Sequence, residues 1–212
     1  MTNDVQILNN GYPMPAVGLG VYKIADEQME EVVRTALDAG YRAFDTAYFY
    51  GNEKALGSAL KHSNVERDEL FITSKLWNDY QGYDQTIEYF NKSLDNLGLD
   101  YLDLFLIHWP CENDQLYIES YKALEHLYEE GKIKAIGVCN FKIHHLEKLM
   151  KETKITPQVN QIELHPYFNQ QDVQDFCDEH DIKVTAWMPL MRNKGLLDDP
   201  VITCLLYTSD AA

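Results

Sequence analysis

The chain has 212 residues, 45% of them hydrophobic, which is enough for one folded domain with a sizeable core rather than a disordered segment. Its 34 acidic and 18 basic residues give a net charge of −16, and this excess disfavours nucleic acid or an anionic membrane as the main partner. No apolar run approaches the ~18 residues of a transmembrane helix, and the first residues lack the charged, then apolar order of a signal peptide. The 4 cysteines are scattered without a CxxC pair. We therefore expect reduced thiols in a cytoplasmic protein rather than disulfides or a zinc site.

The first predicted elements are a hairpin and a helix. The pattern from residue 5 to residue 20 predicts a hairpin that turns at Asn10-Gly11 and is followed by a first strand. Helical spacing of apolar residues then predicts an amphipathic helix, with Asp26 as its candidate N-cap and Gly40 at its C-terminal stop.

Beyond this helix, short apolar runs alternate with amphipathic helices, a pattern typical of βαβ units around a buried parallel sheet. The apolar runs end on polar or amphipathic residues, namely Asp45, Lys75, His108, Asn140, Gln161 and Trp187. In a (β/α)8 barrel the carboxyl ends of the strands converge on one face, where the active site lies. The sequence therefore predicts an α/β fold of this barrel type.

An open doubly wound sheet is the competing architecture. Such a sheet usually carries a GxGxxG motif after its first strand. Here Gly18 and Gly20 are followed by Lys23 where the third glycine would stand, which weakens this alternative.

Two tyrosines that follow Asp45, Tyr48 and Tyr50, are candidate proton donors. A free phenol has a pKa near ~10. A lysine cation ~4 Å from the phenol, at an effective dielectric constant of ~20, contributes about 4 kcal/mol, or roughly three pKa units. Lys75 at a neighbouring strand end would therefore bring the pKa of the phenol towards ~7, while Asp45 holds the lysine and His108 orients a substrate carbonyl.

This set of side chains suits protonation of an oxygen that gains negative charge. The sequence shows no nucleophile with a base, no HxH metal pair and no phosphate-binding loop, so we predict no metal site. A hydride from a nicotinamide would complete the chemistry. These chemical arguments alone do not decide whether Tyr48 or Tyr50 is the acid.

Several motifs together resemble the aldo-keto reductase family over residues 5 to 202. They are GYRAFDTAYFYGNEKALG, LFITSKLW, YLDLFLIHWP, IKAIGVCNF, VNQIELHPY and VTAWMPL, in this order. The chain is most similar to the bacterial branch that includes diketogulonate reductases. The resemblance implies a (β/α)8 barrel that binds NADPH without a Rossmann domain. It also implies a catalytic tetrad of Asp45, Tyr50, Lys75 and His108, because the acid is the tyrosine directly before Gly-Asn-Glu.

The same resemblance implies the remaining site residues. The expected contacts to the cofactor are Gly20, Val21, Tyr22, Asp45, Cys139, Asn140, Gln161, Trp187, Pro189 and Leu190. The expected contacts to a small carbonyl substrate are Tyr22, Trp77, His108 and Trp109. The family commonly has serine where this chain has Cys139 and Met188, and a thiol is the weaker donor to a carboxamide.

The C-terminal part departs from the family pattern. We interpret residues 1–202 as a barrel of about seven strands that lacks the last βα region. Residues 203–212, which read TCLLYTSDAA, are interpreted as a non-native tail resembling a translated sequencing adaptor. An incomplete barrel leaves sheet edges unpaired, so poor folding and weak NADPH binding are expected of this chain.

We expect a monomeric NADPH-dependent reductase of aldehydes and ketones. One alternative is a nicotinamide-binding regulatory subunit, as are family members associated with potassium channels. Another is an inactive fragment.

Overall fold

The structure, a computed structural model, describes residues 4–208, in which a hairpin precedes alternating strands and helices. The strands of this part are β1 (Val5–Ile7), β2 (Pro13–Pro15), β3 (Leu19–Gly20), β4 (Ala43–Asp45), β5 (Phe71–Leu76), β6 (Leu102–Ile107), β7 (Ile133–Cys139), β8 (Val159–Glu163) and β9 (Lys183–Trp187). The α-helices are α1 (Asp26–Asp38), α2 (Glu53–Lys61), α3 (Tyr83–Leu97), α4 (Asp114–Glu129), α5 (Ile143–Glu152), α6 (Gln171–Glu179) and α7 (Pro200–Thr208).

Strands β3 to β9 form one parallel sheet in which each strand pairs with its neighbour in sequence. This order, with a helix between successive strands, is that of a (β/α)8 barrel, of which the described sheet provides seven strands. The predicted fold class is therefore confirmed, and the open doubly wound alternative is wrong. In register, Asp45 lies opposite Thr73, and Cys139 lies opposite Gln161, so residues expected at the site share one end of the sheet.

The two faces of the sheet bury different hydrophobic layers. In β6, Leu104 and Leu106 pack with residues of the inner layer, whereas Phe105 and Ile107 pack with the helices outside. Successive side chains of a strand point to opposite faces, so a strand buried on both sides is mostly apolar. This burial explains the apolar runs in the sequence.

The predicted hairpin is confirmed, with β1 and β2 antiparallel around Asn10-Gly11. Leu8 is buried with the inner layer of the sheet, and the Tyr12 hydroxyl donates to Asp103 Oδ1 over 2.6 Å. Asn10 Nδ2 also donates to the Lys134 carbonyl over 2.9 Å. The hairpin therefore packs across the amino-terminal ends of β6 and β7, opposite the end that carries the predicted site.

Helices α2 and α3 approach each other closely at Gly57. A Cβ atom placed there would lie 2.1 Å from the Leu97 carbonyl oxygen. The backbone at Gly57 is helical and would accept any residue. Glycine is therefore required here because a side chain has no room.

Two details differ from the sequence interpretation or remain untested. Asp26 is not the N-cap of α1, because the helix already begins there and Ala25 precedes it without a side-chain cap. The predicted boundary between residues 202 and 203 falls inside α7 and stays a prediction, and residues 209–212 lie outside the described part. Within residues 4–208, no helix combines the length and apolar character needed to cross a bilayer.

Candidate active site

The carboxyl ends of the parallel strands bring the predicted tetrad together. Asp45 is the last residue of β4, Lys75 is the penultimate residue of β5, and His108 directly follows β6. Tyr50 ends a short 3₁₀ turn, Tyr48–Tyr50, that follows β4. Four residues separated in sequence therefore surround one small volume.

The Lys75 ammonium is the electrostatic centre of this group. The side chain is only 1% exposed, and its Nζ donates to the Asp45 carboxylate and, over 2.9 Å, to the Thr46 carbonyl. Burial alone would lower the pKa of Lys75, but Asp45, followed by Tyr50 and Cys139, raises that pKa above its usual value. Lys75 is therefore a charged, buried cation held by an acidic partner.

Tyr50 lies against this cation, with Lys75 Nζ 5.2 Å from the centroid of its ring. The expected fall of the phenol pKa towards ~7 is nevertheless wrong. Burial raises the pKa of Tyr50, and this effect outweighs the lowering by Lys75. The Asp45 carboxylate raises the pKa further, because it offsets part of the field of the lysine. Tyr50 is thus a protonated phenol at neutral pH.

Tyr48 has different neighbours. Its ring packs edge-on against Tyr80 and Tyr89, at centroid distances of 5.6 and 5.0 Å. These two rings stack on each other at 3.5 Å. Tyr48 is therefore part of an aromatic cluster, which supports the reading of Tyr50, rather than Tyr48, as the candidate acid.

His108 closes the other side of Tyr50, with ring centroids 5.7 Å apart. The residue is 9% exposed, and burial together with the Lys75 cation lowers its pKa to about 3. Its Nδ1 atom has no hydrogen-bond partner among the described residues. His108 is therefore neutral at physiological pH and retains the capacity to form hydrogen bonds with a ligand.

The predicted cofactor residues of β7, β8 and β9 interlock at the same end of the sheet. Asn140 donates through Nδ2 to the His108 carbonyl over 3.0 Å, and its Oδ1 accepts from Trp187 Nε1 over 2.8 Å. Gln161 Nε2 donates to Asp45 Oδ2 over 2.9 Å. These contacts place two side-chain amides and an indole beside the tetrad.

Cys139 is buried behind this group, with Sγ 3.9 Å from Gln161 Oε1. Burial raises the pKa of its thiol far above the usual range, although Lys75 lowers it in part. Cys139 is therefore a neutral thiol. Its expected contact to a carboxamide stays a prediction.

The remaining predicted cofactor residues lie at the end of β3 and on the loops after β3 and β9. Gly20 ends β3, and Val21 is fully buried, whereas Tyr22 is 42% exposed and lies 4.7 Å from the Tyr50 ring. Pro189 and Leu190 are both exposed after β9. Cations approach Tyr22 from both loops, since Lys23 Nζ and the guanidinium carbon of Arg192 each lie 5.5 Å from its ring.

The remaining residues predicted to contact the substrate, Trp77 and Trp109, are aromatic and lie beside the tetrad and Trp187. Trp77 lies edge-on to His108 at 5.3 Å and is stacked by Phe49 at 3.8 Å. Trp109 is 41% exposed and lies 6.4 Å from Trp187. Phe49 was missed by the sequence analysis, although its place between the two candidate tyrosines was a signal.

Comparisons with known proteins point to one family. Residues 16–201 match the model of the aldo/keto reductase family. The chain is 50% identical over 201 residues to the glyoxal reductase of Bacillus subtilis, a match that covers 94% of this chain and 72% of that protein. It is 46% identical to the methylglyoxal reductase DkgA of Escherichia coli K12, covering 92% of this chain and 70% of that protein.

Solved structures show the same fold. An aldo/keto reductase from Brucella melitensis superposes with a TM-score of 0.92 at 45% identity, covering 97% of this chain and 79% of that one. A variant of Gox0644 in complex with NADPH superposes with a TM-score of 0.91 at 40% identity, covering 98% of this chain and 74% of that one.

Proposed function

Because this chain belongs to the aldo/keto reductase family, we propose that it reduces small aldehydes and ketones to alcohols with NADPH. The relatives named glyoxal reductase and methylglyoxal reductase support the substrate class. The structural neighbour crystallised with NADPH supports the cofactor. The observation that carries the proposal is the buried Lys75–Asp45 pair beside the protonated Tyr50.

The side chains around the tetrad fit a nicotinamide nucleotide. The amides of Asn140 and Gln161 can exchange hydrogen bonds with a carboxamide, and the indole of Trp187 offers a flat surface for the ring. Lys23 and Arg192 supply local positive charge for phosphates in a chain with a net charge of −16. When bound, NADPH supplies the hydride that attacks the carbonyl carbon.

Tyr50 is the proton donor in this proposal. An alkoxide is nearly as basic as hydroxide, whose conjugate acid has a pKa of about 15.7. A phenol is a much stronger acid than an alcohol, so transfer of its proton to the alkoxide is favourable. The raised pKa of Tyr50 keeps the proton in place until charge develops on the substrate oxygen.

Lys75 and His108 have supporting roles. The Lys75 cation stabilises the phenolate that remains after proton transfer, and Asp45 keeps the ammonium in position. The neutral imidazole of His108 donates a hydrogen bond to the carbonyl oxygen and orients it towards Tyr50.

Replacement of each tyrosine by phenylalanine tests the assignment. We expect Tyr50→Phe to lower kcat by about 10²- to 10⁴-fold, the usual contribution of a positioned general acid. Tyr48→Phe should retain most of the activity, because the ring packing of Tyr48 with Tyr80 and Tyr89 does not need the hydroxyl. The assay follows NADPH oxidation with glyoxal and with methylglyoxal.

Tyr48→Phe serves as the matched control, since it removes the same atom two residues away. Equal losses in the two variants would contradict the role of Tyr50. An unmodified chain that consumes no NADPH with either substrate would contradict the proposed reaction itself.

A further inference from the structure

Asn52 occupies the N-cap position of α2 but does not cap the helix. Asparagine is favoured there because its side-chain oxygen accepts from a free N–H of the first turn. In this structure the side chain makes no such bond. It is 4% exposed, and both of its polar atoms bind groups outside the helix.

The nitrogen and the oxygen of the Asn52 side-chain amide bind two different parts of the site. Nδ2 donates to the Val21 carbonyl over 2.9 Å, which fixes the loop after β3. Oδ1 accepts from the Thr46 hydroxyl over 2.9 Å. The carbonyl of this same Thr46 accepts from Lys75 Nζ over 2.9 Å. One side chain thus connects the loop beside Tyr22 to the residue that holds the catalytic cation.

These bonds require an amide at this position. The Val21 carbonyl needs a donor, whereas the Thr46 hydroxyl, as oriented, needs an acceptor. A carboxylate would leave two oxygens facing each other, and a serine is too short to provide both arms. Because all four groups are buried, each lost bond leaves an unsatisfied polar atom.

We propose that Asn52 is a positioning residue that couples the loop at Val21 and Tyr22 to the Lys75 cation, and through it to Tyr50. The kinetic part of this inference rests on the proposed reductase function. When Asn52 is removed, Thr46 and Lys75 are less firmly held. The lowering of the Tyr50 pKa by Lys75 weakens as a result.

The test compares Asn52→Ala with Thr46→Val, which replaces the hydroxyl by a methyl group, and with Gln158→Ala as a matched control. Gln158 is also a buried amide with hydrogen bonds through both arms, but it lies at the amino-terminal end of β8. We expect Asn52→Ala to lower kcat about ten- to a hundredfold, the range for a misplaced catalytic group. The alkaline limb of the pH profile of kcat should move to higher pH.

Thr46→Val should reproduce the change in kcat and in the pH profile, because it breaks the arm that leads to Lys75. Gln158→Ala should leave the pH profile unchanged. Equal effects of Gln158→Ala and Asn52→Ala on kcat, with no shift of the pH profile in either, would show a purely structural role and overturn the inference.

Amide hydrogen exchange provides a measurement that does not depend on turnover. In Asn52→Ala, exchange of the segment 20–24 should become faster, while Gln158→Ala should leave this segment as protected as in the unmodified chain. If the unmodified chain shows no reductase activity, the proposed function fails and exchange alone decides the inference. Unchanged protection of this segment in Asn52→Ala overturns the coupling.

Discussion

Replacing His108 by glutamine should flatten the pH dependence of stability between about pH 7 and about pH 4.5. Burial and the neighbouring Lys75 cation lower the pKa of His108 to about 3 in the folded chain. In the unfolded chain the value returns to ~6.5. Below that pH the unfolded state binds more protons than the folded state. The stability associated with the neutral imidazole is therefore lost as the pH falls from about 6.5 towards about 3.

The size of this effect follows from the two pKa values. At pH 4.5 the unfolded histidine is almost fully protonated, while the folded one is almost fully neutral. The linkage relation then gives a loss of about 2.5 kcal/mol relative to pH 7. This figure changes little if the folded value is one unit higher, because pH 4.5 would still lie above it.

Urea unfolding of both chains at the two pH values measures the difference. The free energy of unfolding of the unmodified chain should fall by about 2.5 kcal/mol more than that of His108→Gln. His62→Gln, at an exposed position, is the control and should keep the pH dependence of the unmodified chain. An identical pH dependence in the unmodified chain and in His108→Gln would refute the reasoning that His108 is held neutral by burial.

Two further substitutions test the packing behind the site. Glu53 is a buried carboxylate that accepts from the Ser74 hydroxyl over 2.7 Å and from Asn96 over 3.0 Å. Glu53→Gln turns one acceptor into a donor, so urea unfolding should show a loss of about 1–3 kcal/mol. Gly57→Ala places a methyl group 2.1 Å from the Leu97 carbonyl oxygen, and it should lower the free energy of unfolding by about 1–3 kcal/mol or more.

Exposed neighbours provide the controls for these two changes. Glu88→Gln alters a solvent-exposed pair with Lys92, for which the expected cost is below about 1 kcal/mol. Ser58 is exposed on α2. The free energy of unfolding of Ser58→Ala should therefore stay within about 0.5 kcal/mol of that of the unmodified chain. Losses of the same size in variants and controls would contradict the packing arguments.

The strand ends were readable from the sequence because each buried parallel strand is mostly apolar, whereas the residue that closes the apolar run is polar or amphipathic. This contrast located Asp45 and Trp187 at the last residues of β4 and β9. Gln161, in contrast, lies two residues before the end of β8. Beyond Gln161, β8 still pairs with β9, up to Glu163 opposite Trp187. The sequence of β8 alone does not reveal this pairing.

The electrostatic balance at Tyr50 was not readable from the sequence. A lysine at a neighbouring strand end correctly indicated a nearby cation, but the sign of the net pKa shift depends on burial. Tyr22 and His108, which approach the ring from distant parts of the chain, contribute to that burial. In the same way, the sequence analysis did not single out Asn52, and only the fold shows that the partners of its side chain are Val21 and Thr46.

The buried Cys139 thiol bears on the proposed reduction of aldehydes. Aldehydes are electrophiles, and the thiolate is the form of cysteine that attacks them. Burial keeps this sulfur protonated, although it lies behind a lysine cation that would otherwise favour the thiolate. In the proposed reaction, this protonated Cys139 sulfur therefore does not form an adduct with an aldehyde bound beside Tyr50.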